Sequence, residues 1–199
     1  MSTPEQRVRM RHLRTLAVLG SLFLVPLAAS FWMYYGTDWR PARQVNHGEL
    51  ISPARPLPSI SLPSAASVPQ PRTVLLRGRW TLVYLGDGRC DDRCHEALYV
   101  MRQTRLSLNK DMTRVERLFL VTADCCDREF LQREYPGLFV IDAKVPADAA
   151  LLAAFPPDTA DSLYVVDPLG NLMMRYDIRQ NPHGLLEDLQ RLLRLSHIG

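Results

Sequence analysis

Trp80-Thr81-Leu82-Val83-Tyr84-Leu85-Gly86-Asp87-Gly88-Arg89-Cys90-Asp91-Asp92-Arg93-Cys94 is the stretch that decides how this chain is read. Its first six residues form an apolar run, which predicts a strand buried on both faces. Gly86 to Arg89 reads as a loop, and Cys90 to Cys94 as the opening of an amphipathic helix. A thiol at a helix N-terminus feels the positive end of the helix dipole, which favours the thiolate. Residues four apart share a helix face, so both sulfurs are expected to point the same way. Two convergent thiolates suit the soft ion Cu(I), and they can also close as a disulfide while exchanging electrons with a partner.

Working outward, Thr15 to Tyr35 carries no charge (TLAVLGSLFLVPLAASFWMYY). As a helix it would be ~32 Å long, about one hydrocarbon core. Trp32, Tyr34, Tyr35 and Trp39 crowd its C-terminal end, as an interfacial aromatic belt does. Arg7, Arg9, Arg11 and Arg14 precede it, so the positive-inside rule places residues 1–14 in the cytoplasm and the remainder outside. A cleaved signal peptide processed near Ala28-Ala29-Ser30 is the alternative. Those four arginines, against Glu5, account for the whole formal charge of +3. The rest of the chain is balanced and offers no basic face for a nucleic acid.

Residues 36–72 read as a linker, with prolines at 41, 53, 56, 58, 63, 69 and 71 and an extended, coreless composition. Within it, the proline-free patch Asn46–Ile51 could dock on a folded unit. The chain thus divides into a basic tail (1–14), a transmembrane helix (15–35), the linker (36–72) and a folded domain (73–199). In that domain, strands are predicted at 73–76, 80–85, 117–122 and 138–141, and at 162–167 and 172–176 around the turn Pro168-Leu169-Gly170-Asn171. Helices are predicted at 91–108, 127–135, 147–155 and 185–195, the last with leucines at helical spacing. This order describes an α/β/α sandwich with a central mixed sheet.

Cysteines at the first strand-to-helix turn of such an arrangement resemble the thioredoxin-like fold. More narrowly, the chain is similar to the Sco/SenC family, the membrane-anchored copper chaperones and thiol reductases of cytochrome c oxidase assembly. The resemblance is carried by Arg77-Gly78-Arg79-Trp80-Thr81-Leu82-Val83-Tyr84-Leu85-Gly86, the three-residue spacer between Cys90 and Cys94, and Val166-Asp167-Pro168-Leu169-Gly170-Asn171-Leu172. It implies Cys90 and Cys94 as the reactive pair and as Cu(I) ligands, with a distal histidine completing the metal site. The matching stretch, Pro157-Asp158-Thr159-Ala160-Asp161-Ser162-Leu163, holds no histidine. Asp158 and Asp161 are hard ligands that suit Cu(I) poorly. Asp91 and Asp92 add negative charge that opposes thiolate formation.

Other residues are weighed against bland roles. His95 follows Cys94 but is turned about a quarter-turn away on a helix, so it reads as a packing histidine first and a copper ligand or thiol-tuning base second. His183 and His47 read as structural, while His12 and His197 lie away from any site. Cys125 and Cys126 follow the strand ending at Thr122, at the same sheet end as Cys90. They are either resolving or accessory thiols or small buried hydrophobes. One of Met173 and Met174 must face the core by strand alternation. The expected function is a membrane-anchored accessory factor of respiratory oxidase assembly with its domain in the periplasm. It would reduce a partner's disulfide or carry Cu(I), the partner being an oxidase subunit or another assembly factor. A non-catalytic scaffold binding the same partners, or a general disulfide oxidoreductase, are the alternatives.

Overall fold

The computed structural model describes residues 4–37, 45–61, 74–124, 126–144, 149–156, 162–177, 179 and 181–198. The chain divides into two compact units, Met1–Gln44 and Val45–Gly199. The first is built on helix α1 (Pro4–Gly36), within which Arg9–Gly36 is long and apolar enough to cross a membrane. Leu22, Phe23 and Trp32 are among many large apolar side chains exposed along it. A helix that is apolar all round and buries none of that surface in protein is suited to lipid.

In the second unit, a six-stranded sheet runs in the order β1 (Glu49–Pro56), β8 (Asn171–Tyr176), β7 (Ser162–Val166), β4 (Trp80–Gly86), β5 (Val115–Val121) and β6 (Leu138–Asp142). Strands β4, β5 and β6 are parallel, and β7, β8 and β1 are joined antiparallel. The predicted strand at 73–76 lies outside this sheet. It is the short β3 (Val74–Leu75), paired with β2 (Ile60–Ser61) in a separate ribbon. Helices α2 (Asp92–Ser107), α3 (Arg128–Glu134), α4 (Ala149–Ala153) and α5 (Pro182–Leu195) complete the unit.

Strand alternation divides the core between the two faces of the sheet. Trp80, Leu82, Tyr84 and Phe119 pack under Ala97, Leu98 and Met101 of α2 and Leu185, Leu189 and Leu193 of α5. Val83, Leu85, Leu118 and Leu120 pack on the other face with Leu151 of α4 and Phe155. Each fully buried leucine or methionine contributes roughly 1.5–3 kcal/mol of apolar transfer. The layers are therefore helix, mixed sheet, helix, as the order of elements implied. At the turn between β7 and β8, Gly170 has a left-handed φ of 84°. The Arg77 guanidinium occupies the space a Cβ would need there. It donates to the carbonyls of Leu76 and Leu57, both at 2.7 Å.

The linker reading needs correction. The folded unit begins at Val45, and Glu49–Pro56, inside the supposed linker, is an edge strand paired with β8. Pro53 and Pro56 fit because an edge strand has N–H groups that need no ladder partner. The patch at 46–51 does dock, and a carboxylate holds its start. Asp188 of α5 is only 3% exposed. Its Oδ2 accepts from the backbone N–H of His47 at 2.7 Å, of Gly48 at 3.1 Å and from the Tyr176 hydroxyl at 2.9 Å. Burial and the Asp188 carboxylate raise the Tyr176 pKa above the ordinary phenol value. A side chain at Gly48 would collide with the Tyr176 ring.

Replacing Asp188 by Ala strands the buried Gly48 N–H, the part-buried His47 N–H and the Tyr176 hydroxyl. The expected loss is about 3 kcal/mol of unfolding free energy in denaturant titration, with faster hydrogen exchange at Gly48. An unchanged midpoint and unchanged Gly48 protection would show that this carboxylate does not hold the strap.

Candidate functional site

The site begins where β4 ends. Gly86 is required there because a Cβ would meet the Tyr84 ring and hydroxyl at under 3 Å, and its carbonyl accepts from Thr122 N–H at 2.9 Å. The chain then turns tightly, with Cys90 N–H donating to the Asp87 carbonyl at 3.1 Å. The Asp87 carboxylate accepts from the Arg89 backbone at 2.9 Å and from its guanidinium at 2.8 and 3.1 Å. That hydrogen bond from Arg89 holds the Asp87 carboxyl below the ordinary aspartate value.

Cys90 leaves the turn in the left-handed region, at φ 48°, a conformation that disfavours a non-glycine residue. It therefore lies ahead of the helix instead of on its first turn, as the spacing had suggested. Asp91 is the N-cap of α2 and accepts from Cys94 N–H at 3.1 Å, so its carboxylate serves a backbone donor. The two cysteines nevertheless meet. Cys90 and Cys94 are joined by a disulfide, with Cα atoms 4.9 Å apart. Their surroundings differ sharply. Cys94 is 1% exposed and belongs to the core under α2, whereas Cys90 is only partly buried at its margin.

Cys90 lines a pocket of about 190 Å³ with Gly88, Arg89, His95, Asp127, Phe130 and Leu131. Asp127 is the N-cap of α3 and accepts from Phe130 N–H at 2.9 Å. The Phe130 ring meets His95 edge-on, with centroids 5.4 Å apart, and Arg133 lies 5.9 Å above it. His95 thus packs on an aromatic ring while still facing the pocket that Cys90 lines. A larger recess of about 850 Å³, lined by Arg114 and residues of α5, lies near the start of β5 and holds no thiol. Its Arg114 bonds the carbonyls of Leu193 and Ser196, a structural clamp on the chain terminus.

The remaining sequence candidates are dispersed. Cys126 is disulfide-bonded and packs against the same core cluster as Cys90; Cys125 lies outside the described residues, as do Asp158 and Asp161. Beside Cys126, Lys144 pairs with Asp124 at 2.6 Å and holds that carboxyl below its ordinary value. His47 pairs with Glu187 at 2.8 Å, and His183 is exposed at the start of α5. Met174 is the buried member of its pair, under the Tyr176 hydroxyl at 3.5 Å. Among the described residues, no three His, Cys, Asp or Glu gather as a metal-binding group. Sequence reasoning missed Asp127 and Phe130. The signal available was an acidic cap opening a helix at the same sheet end as Cys90.

A family model described as transmembrane-like, thioredoxin-like, C-terminal domain matches residues 80–196. No curated protein matches the sequence. Among solved structures, apo Sco1 from Thermus thermophilus is 18% identical, with a TM-score of 0.54, covering 76% of this chain and 99% of that one. A putative thioredoxin from Neisseria meningitidis is 16% identical (TM-score 0.52, covering 72% and 93%). Copper-bound ScoI from Arabidopsis thaliana is also 16% identical (TM-score 0.51, covering 63% and 92%). At such identities the likeness speaks to architecture, and the architecture is thioredoxin-like. The chain belongs to the family of transmembrane-like, thioredoxin-like C-terminal domains.

Proposed function

We propose that this protein is a membrane-anchored thiol–disulfide exchange factor serving respiratory oxidase assembly, with Cys90 as the attacking sulfur and Cys94 as the resolving one. The observation that carries this reading is the asymmetry of the bonded pair, one sulfur at a pocket and the other in the core. In the reduced protein, the Cys90 thiolate attacks one sulfur of a partner's disulfide. A mixed disulfide forms and the partner's first thiolate leaves. Cys94 then gives up its proton, attacks the Cys90 sulfur and closes the intramolecular bond, releasing the partner's second thiolate. Two electrons pass to the partner, and an external dithiol must restore the reduced pair. Cys126, oxidised and on the same core cluster, supports an accessory role for the second cysteine group.

The oxidase pathway rests on the resemblance to Sco/SenC proteins, and the arginines in the first turns of α1, ahead of its uncharged stretch, support a periplasmic placement of the domain. Copper belongs to this reading as cargo. The copper-bound plant ScoI shares the architecture, and the reduced pair would offer two thiolates to Cu(I). Among the described residues no three His, Cys, Asp or Glu gather beside the pair, and this reading treats the ion as cargo on the two thiolates.

Three outcomes are expected. After reduction of the full chain in detergent, a short iodoacetamide pulse should label Cys90 at least about tenfold faster than Cys94, and Cys94→Ser should trap mixed disulfides through Cys90. The reverse order of labelling would sink the assignment of roles. In cells, a Cys90→Ser/Cys94→Ser double variant at normal membrane level should abolish partner reduction and oxidase maturation. Normal maturation would instead hand the function to a scaffold. In competition with a Cu(I) chelator, the reduced chain should take up one ion, with affinity lowered about tenfold or more in Cys90→Ala. Equal affinity in that variant would remove copper from the proposal.

A further inference from the structure

Among the described residues, no carboxylate pairs with one buried cation elsewhere in the domain, Arg117. Arg117 is the third residue of β5 and shares the sheet face of Phe119, beneath α2. It is 3% exposed. Its Nη2 donates to the Pro136 carbonyl at 2.6 Å, while Nε and Nη1 are buried and meet no acceptor. Two further guanidiniums act on it, Arg105 and Arg102 of α2. Arg105 donates through Nε to the Val115 carbonyl at 2.7 Å. Arg102 makes no hydrogen bond or ion pair with any described residue.

Glu116 acts electrostatically on Arg105 as well as on Arg79, but neither it nor Glu134 bonds Arg117. Glu116 points to the other face of the sheet by strand alternation and pairs with Arg79 at 3.3 Å. Glu134 pairs with Arg133 at 3.2 Å. Among the described residues, no carboxylate is hydrogen-bonded to Arg102, Arg105 or Arg117. Burial, with repulsion from Arg105 and Arg102, pushes the Arg117 pKa down to about 10, so the group is still cationic near neutrality. Removing a charge from water without a partner is strongly unfavourable. Three like charges compound that cost, and native proteins rarely leave such donors unmet. The Pro136–Gly137 turn flanks the guanidinium directly: a Cβ at Gly137 would lie 3.8 Å from Arg117 Nη2, an ordinary contact distance.

We propose that Arg117, with Arg102 and Arg105 beside it, is a receptor for a small oxyanion, a carboxylate or a phosphate, that enters between α2 and the Tyr135–Gly137 turn. Arginine suits either group because its planar donors match paired oxygens. Arg117 aligns with Leu82 of β4 and Leu138 of β6, toward the N-terminal ends of the parallel strands. Cys90 follows their C-terminal ends. The oxyanion site is therefore separate from the sulfurs and stands independently of the exchange chemistry.

The test is thermal unfolding of the full chain in detergent, with inorganic phosphate or acetate exchanged for chloride at constant ionic strength. A short peptide is added in two forms, one with a free C-terminal carboxylate and one with it amidated. The wild type should gain at least about 2 °C, saturably, because a ligand of the folded state stabilises it by mass action. Arg117→Met should abolish the gain, and Arg102→Gln should raise the half-saturating concentration at least about threefold. A response to phosphate alone identifies a free ion as the ligand. A response to acetate and the acid peptide, but not the amide, identifies a carboxylate of a partner chain. No saturable response to any of these, or the same response in Arg102→Gln as in wild type, overturns the proposal even if Arg117→Met fails to fold.

Discussion

Strand β4 exchanges backbone hydrogen bonds with β5 on one side and β7 on the other, and every residue from Trp80 to Gly86 is buried between two layers of side chains. A strand closed on both edges and both faces cannot shift register by one residue without turning Trp80, Leu82 and Tyr84 out of one core and into the other. Its last residue is consequently fixed in space. Gly86, tied to Thr122 and crowded by Tyr84, is the point from which Asp87–Cys90 departs. The position of Cys90 is set by that strand end, by the Asp87–Arg89 hydrogen bonds and by the left-handed step at Cys90 itself. The position of Cys94 is set by α2, which Asp91 caps and whose Ala97, Leu98 and Met101 are buried over the sheet.

Two different constraints thus deliver two sulfurs to one bond, and they give the pair unequal surroundings. The loop brings its cysteine to the edge of a pocket, and the helix keeps its cysteine in apolar packing. Exchange with another protein's disulfide needs that inequality, since the sulfur that attacks must be reached by the partner and the sulfur that resolves must be kept from it. Phe130 and His95, packed edge to face, line the accessible side together with the α3 cap at Asp127.

Much of this was legible in the sequence because the decisive segments are strongly patterned. The apolar run at 80–85 reads as a buried strand, and the leucines at 185, 186, 189, 192, 193 and 195 read as a helix, and both are found as β4 and α5. The edge strand Glu49–Pro56 was not legible, because almost all of its side chains are exposed and its prolines signal a tether. Edge pairing is a backbone property that side-chain periodicity does not report. The placement of Cys90 outside α2 was hidden for a similar reason, since it depends on a left-handed backbone step at a residue that is not glycine. The solitary burial of Arg117 left no trace in composition, because charge balance along a chain says nothing about which charges meet.

The disulfide contributes little to the fold that carries it. A bridge between residues four apart closes so short a loop that it removes little entropy from the unfolded chain. Opening it leaves the turn after β4 with its Asp87–Arg89 and Cys90–Asp87 hydrogen bonds and leaves α2 capped by Asp91 and packed through Leu98 and Met101. The strap at residues 47–56 is held by Asp188 and β8, and among the described residues it shares no hydrogen bond with the sulfur-bearing turn. Under the exchange reading proposed above, the pair opens and closes without breaking any of the hydrogen bonds that attach the strap to Asp188 and β8.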